Sequence, residues 1–409
     1  MTTVSVIIPA YNHATFLQKT IESVLDQDWR DYEIVVVDDG SKDDTPAVAA
    51  RFGSAIRYIP QTNHGMAATR NIGIRHAAGD LISFLDDDDL WLPNYLSTVV
   101  ARFQADPDLA ALHTGFQLTS DKEGSDFPAK GTRTVPAHEL YHSLIESGFF
   151  PPSSVTVRRA CLDKVGLFDE GLQGYADWEL WLRLCREFKF IGIPQVLVKY
   201  RIHAGGLSSN VEHMTQDRLK AIRKHFGPPE GDPATWPLNK RQAFAFAYRN
   251  AAVEYGMRSQ PDDVRHFMRQ AVATMPELLE RLDTFYELAC GEQPRGYRNQ
   301  PALLDMACSE KALFEQVELL LADGGPAVVA RRGIAYGNAY LALGMLSDQA
   351  GQWSDARRYL LRAIRANPRF LGSFSFVRRF LKLCAGQRLA RLGRSLDDKR
   401  QASTFSTRV

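Results

Sequence analysis

The sequence has no marked excess of either charge and no long apolar run. Its 409 residues contain 49 Lys and Arg against 48 Asp and Glu, for a formal net charge of +1. This balance gives no global indication of nucleic-acid binding, which usually needs a basic surface. No apolar stretch approaches the roughly 18 residues that cross a bilayer, and the first residues lack the charged start and apolar core of a signal peptide. A soluble globular protein is therefore expected.

Cysteine is scarce and scattered. The five cysteines are odd in number and have no CxxC spacing: Cys161, Cys185, Cys290, Cys308 and Cys384. This pattern is unlike a disulfide framework or a zinc cluster and favours a reducing compartment. We expect a cytoplasmic protein in which each cysteine is a small buried apolar residue.

Glycine-rich phosphate loops are also missing. A dinucleotide-binding fold needs GxGxxG between its first strand and helix. At that place the sequence reads Pro-Ala-Tyr-Asn-His, at residues 9–13, and GxxxxGK[ST] does not occur anywhere. A classical dinucleotide-binding domain and a P-loop NTPase are therefore disfavoured.

The first half of the chain alternates short β-branched runs with helical patterns. Strands are expected at residues 4–9, 33–37, 56–59, 81–85, 110–113 and 196–200. Helices are expected at residues 15–25, 65–76 and 93–105, and a polar loop at 119–135. Strands and helices at this spacing predict an α/β fold, with a mostly parallel, Rossmann-like sheet and helices on both faces.

Four consecutive carboxylates follow the fourth predicted strand: Asp86, Asp87, Asp88 and Asp89. Ligands of open α/β sheets bind at the carboxyl ends of strands. Crowded carboxylates there offer the oxygen ligands of a hard divalent cation, which can in turn hold a diphosphate. The alternative is a solvated acidic turn. We interpret Asp86-x-Asp88 as a metal and nucleotide-sugar site.

A second acidic pair, Asp38 and Asp39, ends the second predicted strand. Such residues often cap the following helix, and they also occur in phosphoacceptor domains, although no partner lysine is evident here. A third interpretation is a nucleoside pocket, which would also use the aromatic residue Tyr11 at the end of the first strand. Tyr11 can stack on a base, and an Asp carboxylate can accept the imide hydrogen of uracil.

Four pieces of sequence occur in order within residues 4–91. They are Val-Ser-Val-Ile-Ile-Pro-Ala-Tyr-Asn, Ile-Val-Val-Val-Asp-Asp-Gly-Ser-Lys-Asp-Asp-Thr, Asn63-x-Gly65 with Ala68-Thr69-Arg70-Asn71, and Phe84-Leu85 followed by the four Asp residues. Together they resemble the catalytic domain of glycosyltransferase family 2, which has the GT-A fold. The resemblance extends to about Arg201, roughly half of the chain.

The resemblance implies roles for the residues at matching positions. The nucleoside pocket would be lined by Pro9, Ala10, Tyr11 and Asp39. Asn63 and Arg70 would face the nucleotide and its phosphates, Asp86 the ribose or sugar side, and Asp88 the metal; Asp87 would also belong to the nucleotide-sugar site. A guanidinium is well suited to a diphosphate, although Arg70 could also be an ordinary surface residue of a helix.

The second informative stretch leads into a helix. Two glycines, Gly171 and Gly174, precede Asp177 and an apolar helical stripe. Asp177 could be an N-cap, or a general base that takes a proton from the acceptor hydroxyl. Family 2 enzymes place their base at the position of Asp177, usually with a second acid before it, where this chain has Ala176. Glu179 lies four residues before Arg183, which predicts a pair on the outer face of the helix.

His203 follows the last predicted strand of this half. A lone histidine is more often structural than a ligand, but family 2 commonly places one at the diphosphate or metal after a Tyr-Arg-x-His run. The resemblance therefore implies a metal site of Asp88 and His203. Carboxylate with imidazole suits Mn²⁺, and Mg²⁺ is the other expected ion.

The cluster of glycines and prolines at 227–233 predicts a domain boundary, with a catalytic domain at 1–228 and an all-α domain at 229–409. Residues 343–368, and less clearly 251–276, have the spacings of a tetratricopeptide (TPR) repeat. A TPR-like module for self-association or protein binding is expected, and a plain helical bundle is the alternative.

The tail at 376–400 mixes basic and apolar residues. Two interpretations stay open: an amphipathic helix on anionic lipid at the inner face of the membrane, and an exposed basic face of the helical domain. Nucleic acid is a poorer interpretation, because no recognition motif accompanies the charge.

The predicted activity follows from the resemblance. It is metal-dependent, inverting transfer of a sugar from a nucleoside diphosphate sugar to a hydroxyl of a glycan, lipid-linked or protein acceptor, as in the synthesis of cell-surface polysaccharide. UDP-sugars are favoured because Asp39 suits uracil. A glycosidase would not need a nucleotide pocket. The alternatives are an inactive sugar-nucleotide-binding scaffold and a sugar nucleotidyltransferase.

Overall fold

The computed structural model describes residues 3–120, 137–146, 150–203, 210–293 and 300–384. It contains two compact units, residues 1–229 with 238–243, and residues 230–237 with 244–409. The predicted division into a domain at residues 1–228 and a domain at residues 229–409 stays a prediction. Most of the polar loop predicted at 119–135 and most of the basic tail lie outside the described residues.

The first unit contains strands and helices in alternation. Its strands are β1 (Val4–Ala10), β2 (Tyr32–Asp38), β3 (Arg57–Pro60), β4 (Leu81–Phe84), β5 (Leu90–Trp91), β6 (Leu109–Ser120), β7 (Val155–Arg158) and β8 (Lys189–Ile202). Its helices are α1 (Ala14–Leu25), α2 (Thr45–Ala50), α3 (Met66–His76), α4 (Tyr95–Ala105), α5 (Ala137–Glu146), α6 (Arg159–Val165), α7 (Ala176–Glu187) and α8 (Val211–Phe226).

The eight strands form one mixed sheet in the order β3-β2-β1-β4-β7-β6-β8-β5. The first four strands in this order are parallel, whereas β7 runs antiparallel to both of its neighbours. β6 and β8 are parallel and much longer than the predicted strands, with register irregularities between them. The α/β class and the parallel arrangement of the first strands are confirmed.

The register of β1 explains why the predicted site residues lie together. Ala10, the last residue of β1, is opposite Asp38, the last residue of β2. On the other side, Ile7 of β1 is opposite Phe84, the last residue of β4. The chain that follows each strand therefore leaves the sheet at the same edge, as expected for parallel neighbours.

Helices cover both faces of the sheet. Val6 and Ile8 of β1 belong to one core cluster with Leu17 and Ile21 of α1. On the opposite face α3 approaches so closely that a Cβ added at Gly73 would lie 2.3 Å from Cγ2 of Ile7. All seven residues of β1 are buried, which accounts for its continuous apolar sequence.

The described residues of the second unit form helices and short 3₁₀ turns, without a strand. The helices are α9 (Leu238–Gly256), which begins in the first unit, α10 (Pro261–Thr274), α11 (Leu282–Ala289), α12 (Met306–Asp323), α13 (Pro326–Val329), α14 (Arg332–Gln349), α15 (Trp353–Ala366) and α16 (Phe374–Cys384). α14 and α15 pack as a pair, with Gly344 of α14 close to Leu360 of α15. The helical character is confirmed, and TPR-like packing stays a prediction.

Two expectations from composition can be compared with the structure. Across the part of the chain that is described, we find no helix with both the length and the apolar character to cross a membrane. The four cysteines with described side chains form no disulfide, but Cys308 is exposed. The expectation that every cysteine is buried is therefore wrong for Cys308, which lies in the first turn of α12, and Cys185 is only partly buried.

Candidate active site

The four consecutive aspartates after β4 alternate between buried and accessible positions. Asp87 and Asp89 are 2% and 0% exposed, whereas the side chains of Asp86 and Asp88 are 19% and 18% exposed. The turn is closed by a hydrogen bond from the Asp89 amide to the Asp86 carbonyl, at 3.1 Å. Asp86 and Asp88, the two residues of the predicted Asp-x-Asp site, are thus the ones that a ligand can reach.

Asp87 connects the turn to the end of β1. Its carboxylate accepts a hydrogen bond from the Tyr11 amide at 3.0 Å and contacts Nδ1 of His13 at 2.7 Å. Burial raises the pKa of Asp87 to about 6, although the bond with His13 opposes this. The same bond raises the pKa of His13 to about 8. Both oxygens of Asp87 therefore already bind protein groups. Oδ2 holds the Tyr11 amide beside the turn, and Oδ1 pairs with His13.

Asp89 connects the turn to the end of β8. Its carboxylate accepts hydrogen bonds from the hydroxyl of Ser153 and, at 2.9 Å, from the amide of Arg201. Ser153 in turn accepts a bond from the Asp86 amide at 3.0 Å. Burial raises the pKa of Asp89 well above its usual range. No pattern in the sequence indicated Ser153, and the only indication for Asp89 was its place in the acidic run.

Asp88 and His203 are brought into direct contact. Oδ2 of Asp88 lies 2.8 Å from Nε2 of His203, and Nε of Arg201 donates to the backbone carbonyl of Asp88 at 2.8 Å. Within the described ranges no three His, Cys, Asp or Glu side chains are grouped so that they could hold a metal. The donor set of one carboxylate and one imidazole suits a divalent ion such as Mn²⁺ whose remaining ligands come from a bound molecule or water.

Arg70 projects from α3 to Asp86. Its Nη2 lies 2.6 Å from Oδ1 of Asp86, and its side chain is buried, so it is not an ordinary surface residue of the helix. Nε of Arg70 is buried and has no hydrogen-bond partner among the described residues. Burial acts to lower the pKa of Arg70, but Asp86 and Asp177 outweigh it and the pKa is raised. A permanent cation with a free donor is a suitable group for an anionic ligand.

The predicted nucleoside pocket lies at the ends of β1 and β2. Pro9 and Ala10 are buried in β1, and Tyr11 beyond them is 38% exposed. Asp39 is anchored to β1 by a bond from its amide to the Ala10 carbonyl, at 2.8 Å. Asp39 is therefore bonded to the residue that precedes Tyr11, and the nucleoside pocket itself stays a prediction.

The Asp39 carboxylate also holds the segment that contains Asn63. Oδ1 accepts from the His64 amide at 2.8 Å, and Oδ2 from the Gly65 amide at 2.9 Å. Gly40 allows this approach, because its φ is +79° and an added Cβ would lie 3.0 Å from the Asn63 nitrogen. Asn63 itself is exposed. Asp39 thus has a structural task, which leaves its predicted bond to a base as a prediction.

Asp177 is the second residue of α7, and Tyr175 is the N-cap, so the N-cap alternative for Asp177 is wrong. Its Oδ1 accepts a bond from the Trp178 amide at 2.7 Å. Burial raises the pKa of Asp177 to about 6; Arg70 opposes this and Asp86 adds to it. The charges of Arg70 and Asp86 thus both act on Asp177, although more than 90 residues separate it from them in the sequence.

Glu179 does not lie on the outer face of α7, and that prediction is wrong. Its side chain is fully buried and pairs with Nη2 of Arg183 at 2.6 Å. Lys224 and His225 of α8 approach it at 3.1 and 3.3 Å. Although burial acts in the other direction, the bonds to His225 and Arg183 lower the pKa of Glu179 to about 2. The spacing predicted the Arg183 partner correctly but could not show that α8 covers this face of α7.

Comparison with known proteins agrees with the sequence resemblance. The profile of the family described as Glycosyl transferase family 2 matches residues 5–159. An uncharacterized glycosyltransferase of Rickettsia prowazekii (strain Madrid E), RP339, is 32% identical over 209 residues, covering 49% of this chain and 64% of the relative. Another from Nostoc sp. (strain PCC 7120), alr2836, is 31% identical over 234 residues, covering 53% of this chain and 69% of the relative.

The similarity to solved structures is more distant. Mannosyltransferase PcManGT from Pyrobaculum calidifontis, in complex with GDP-Man and Mn²⁺, has 19% identity and a TM-score of 0.47, over 89% of this chain and 86% of that one. S. aureus TarS 1-349 in complex with UDP-GlcNAc has 17% identity and a TM-score of 0.44, over 88% and 90%. The donor and the metal bound by these two proteins are therefore not transferred to this chain.

The similarity in sequence covers only part of the first relatives. The match spans less than two thirds of the first relatives, 64% of RP339 and 36% of a relative from Rickettsia felis, so the activity of those whole proteins is not carried over. The family profile nevertheless includes β1, β2, α3 and the four aspartates after β4. With this profile and the 31% identity to a relative of which 69% is covered, the chain belongs to glycosyl transferase family 2.

Proposed function

We propose that the protein transfers a sugar from a nucleoside diphosphate sugar to an acceptor hydroxyl, with inversion at the anomeric carbon. One observation carries this proposal: Arg70 pairs with Asp86 and its charge also acts on Asp177, so a cation suited to phosphate and a carboxylate of raised pKa belong to one site. Such a convergence of a guanidinium with a carboxylate of raised pKa is typical of a catalytic site. Family membership adds the reaction type.

The donor would bind at the ends of β1, β2 and β4. Tyr11, exposed beside the buried Pro9 and Ala10, offers a surface on which a base can stack. Asp39 would accept the imide hydrogen of uracil with a remaining lone pair, which favours UDP, and Asn63 lies on the segment that Asp39 holds. Nε of Arg70 has no partner among the described residues and would donate to the diphosphate.

Asp88 and His203 would hold the divalent ion, Mn²⁺ or Mg²⁺. Their contact at 2.8 Å shows that both side chains reach one point at the accessible side of the turn. When bound, the ion offsets negative charge on the departing diphosphate. Asp87 and Asp89 would not ligate it, because their oxygens bind Tyr11, His13, Ser153 and Arg201. Asp86 would stay on Arg70 and face the ribose or sugar.

Asp177 would act as the general base. It accepts the proton of the acceptor hydroxyl while the oxygen forms a bond to the anomeric carbon, and the bond to the diphosphate breaks with its electron pair. A carboxylate with a pKa of about 6 is mostly ionised at neutral pH and is a stronger base than an ordinary Asp. A single displacement of this kind inverts the anomeric configuration. The acceptor would be a hydroxyl of a glycan, a lipid-linked sugar or a protein.

Release of nucleoside diphosphate tests this proposal. The protein is incubated with Mn²⁺ and a panel of UDP-, dTDP- and GDP-sugars, and the released nucleotide is measured. We expect release of nucleoside diphosphate from one donor class, and loss of release in Asp88→Ala but not in Asp108→Ala, an exposed carboxylate on the same unit. Release of pyrophosphate would instead indicate a nucleotidyltransferase, and binding without turnover in any acceptor mixture would indicate an inactive scaffold.

For the second unit we propose contact with anionic lipid. Arg357, Leu361 and Arg365 are exposed at four-residue spacing on α15, so they share one face, and neither arginine has an ion-pair partner among the described residues. Leu371 and Phe374 beyond them are also exposed. Cosedimentation with phosphatidylglycerol vesicles should be weakened by Arg357→Glu with Arg365→Glu, but not by Arg51→Glu on the first unit. Equal binding of all three proteins would contradict this proposal.

A further inference from the structure

The segment that leads to the proposed base has an unusual means of support. We call residues 169–175 the base-leading segment, since α7 and Asp177 follow directly. It contains Gly171 and Gly174 and no strand or helix. A segment with two glycines loses much conformational entropy when it is ordered, so the contacts that order it decide where α7 begins.

Helix α3 contributes a bond from Nδ2 of Asn71 to Glu170 at 2.8 Å, and the contacts nearest to Asp177 come from α8. Asp217, on the second turn of that helix, is 7% exposed. Its Oδ2 accepts hydrogen bonds from the amides of Gln173 and Gly174, both at 2.7 Å. Nε2 of His213 lies 3.5 Å from the same oxygen. Two amide donors on one buried carboxylate oxygen are short, charge-assisted bonds that fix two consecutive peptide units.

The packing at Gly174 shows how closely the segment approaches α8. A Cβ added at Gly174 would lie 2.4 Å from Sδ of Met214 and 3.7 Å from Oδ2 of Asp217. The guanidinium of Arg218 lies over the rings of Tyr175 and Trp178, at 5.6 and 5.8 Å. These rings flank Asp177 in the sequence, so α8 holds the chain on both sides of the proposed base.

Two lysines of α8 hold the earlier part of the segment. Lys220 donates to the Gly171 carbonyl, and Lys224 binds the Asp169 carboxylate at 2.8 Å. Asp217, Lys220 and Lys224 are three and four residues apart, which places them on one face of the helix. Asp217 differs from the two lysines because it is buried and because its partners lie closest to Asp177.

We propose that Asp217 is a positioning residue for Asp177, and that it sets the orientation of the base toward the acceptor. The inference rests on the proposed function. Asp217 does not touch the donor side: its partners are Gln173, Gly174 and His213. We therefore expect its removal to release Gln173 and Gly174, while Arg70, Asp86 and Asp88, which it does not contact, keep their partners.

The kinetic test compares Asp217→Ala, Asp217→Asn and Glu212→Ala, the last an exposed carboxylate on the same helix. Since misplacement of a reacting group by about 1 Å can cost about 10²-fold in rate, we expect kcat of Asp217→Ala to fall by up to about 10²-fold, with unchanged affinity for UDP. Asp217→Asn should recover much of this loss, because its amide oxygen can still accept both bonds. Glu212→Ala should behave as wild type.

Two further readouts separate positioning from general damage. In Asp217→Ala, Asp177 becomes better hydrated, so the acid limb of the pH profile should move down from about pH 6 toward the ordinary range of an Asp. Hydrogen exchange at the Gln173 and Gly174 amides should become faster, with no change in β1 or α3. An unaltered exchange rate at these amides would overturn the role of Asp217 in holding the segment.

The exchange measurement does not depend on catalysis, so it separates two kinds of failure. If the wild type transfers no sugar while Asp217→Ala exposes the two amides, the proposed function is wrong and the contact is only structural. If the wild type is active and Asp217→Ala exposes the amides but keeps kcat and the pH profile, the positioning role is wrong and the proposed function stands.

Discussion

The two sides of the candidate site are built differently. On the donor side, each of the four aspartates after β4 has its own partner: Arg70, His13, His203 and the Arg201 amide with Ser153. On the acceptor side, one carboxylate, Asp217, holds two backbone amides of a glycine-containing segment. The proposed donor side is a set of carboxylates that each have a partner and follow one strand, and the proposed acceptor side is a loop fixed mainly by a neighbouring helix.

This difference has a physical consequence. Buried carboxylates that lose a partner are costly, because the remaining charge is desolvated and uncompensated. The donor side should therefore respond to substitution with loss of stability as well as loss of donor binding. On the acceptor side, Asp217→Ala removes the buried charge itself and leaves only two backbone amides to be hydrated, so this side should respond mainly in the rate of transfer.

The largest expected effect is that of Asp177→Asn. An amide cannot accept the proton, so turnover should fall by about 10²- to 10⁴-fold, while UDP affinity stays within a few-fold of wild type. In the wild type, kcat/KM should rise about tenfold per pH unit up to pH 6 and level off above it, because the base must be ionised. Steady-state kinetics between pH 5 and pH 8 provide the measurement.

Stability serves as the control for this variant. Because burial raises the pKa of Asp177, the folded state binds its proton more tightly than the unfolded state, and this carboxylate makes the fold less stable as pH rises from about 4 to 6. Asp177→Asn should thus have a free energy of unfolding at pH 7 at least equal to that of wild type. A marked destabilisation would show that turnover is lost through damage to the fold rather than through the missing base. The control is Asp163→Asn, at an exposed carboxylate of α6; an equal loss of turnover in that variant would also contradict the assignment.

Next in size is Arg70→Ala, which removes the cation shared by both sides. Charge-assisted hydrogen bonds contribute about 1.5–3 kcal/mol, so affinity for UDP should fall about 10- to 100-fold. The pKa of Asp177 should rise as well, since Arg70 lowers it, which would move the acid limb of the pH profile upward. Arg75→Ala is the matched control, because Arg75 is exposed on the same helix and lies 3.5 Å from Glu170. Equal affinities of both variants would contradict the donor-side role.

The smallest effect is expected for Ser153→Ala, which tests stability on the donor side alone. The hydroxyl links the Asp86 amide to the Asp89 carboxylate, and its loss leaves buried polar groups without a partner. The free energy of unfolding should fall by about 1–3 kcal/mol. Ser54→Ala, at an exposed serine, should change it by less than about 0.5 kcal/mol. Urea denaturation of both variants measures this difference. Identical curves would refute a stabilising role for the Ser153 hydroxyl between Asp86 and Asp89.

The proximity of the residues that we propose for the donor side could be predicted from the sequence, because these residues directly follow strands. Parallel strands end at one edge of a sheet, so Tyr11, Asp39 and Asp86 had to be neighbours once the strands were recognised. The Asp-x-Asp spacing also corresponds to the alternation of accessible and buried positions along the turn. The helices α1 and α3 and the α/β class followed from periodicity in the same way.

The supports of the acceptor side could not be predicted, because they depend on how α8 packs on α7. Glu179 illustrates this: its spacing to Arg183 indicated an outer pair, but Lys224 and His225 cover it in the fold. Asp217 belongs to no motif, and nothing in the sequence distinguishes it from Glu212. Its burial and its contact with two amides are visible only in the structure. Long-range hydrogen bonds such as those of Ser153 also leave no periodic signal in the sequence.

Calorimetric titration of UDP with and without Mn²⁺, into wild type and Asp88→Ala, tests the central claim most directly. If Asp88 and His203 hold an ion that binds the diphosphate, wild type binds UDP with Mn²⁺ at least about tenfold more tightly than without it, and Asp88→Ala loses this gain. Failure of the wild type to bind UDP, dTDP or GDP under any metal condition would contradict the donor site that we place at the ends of β1, β2 and β4.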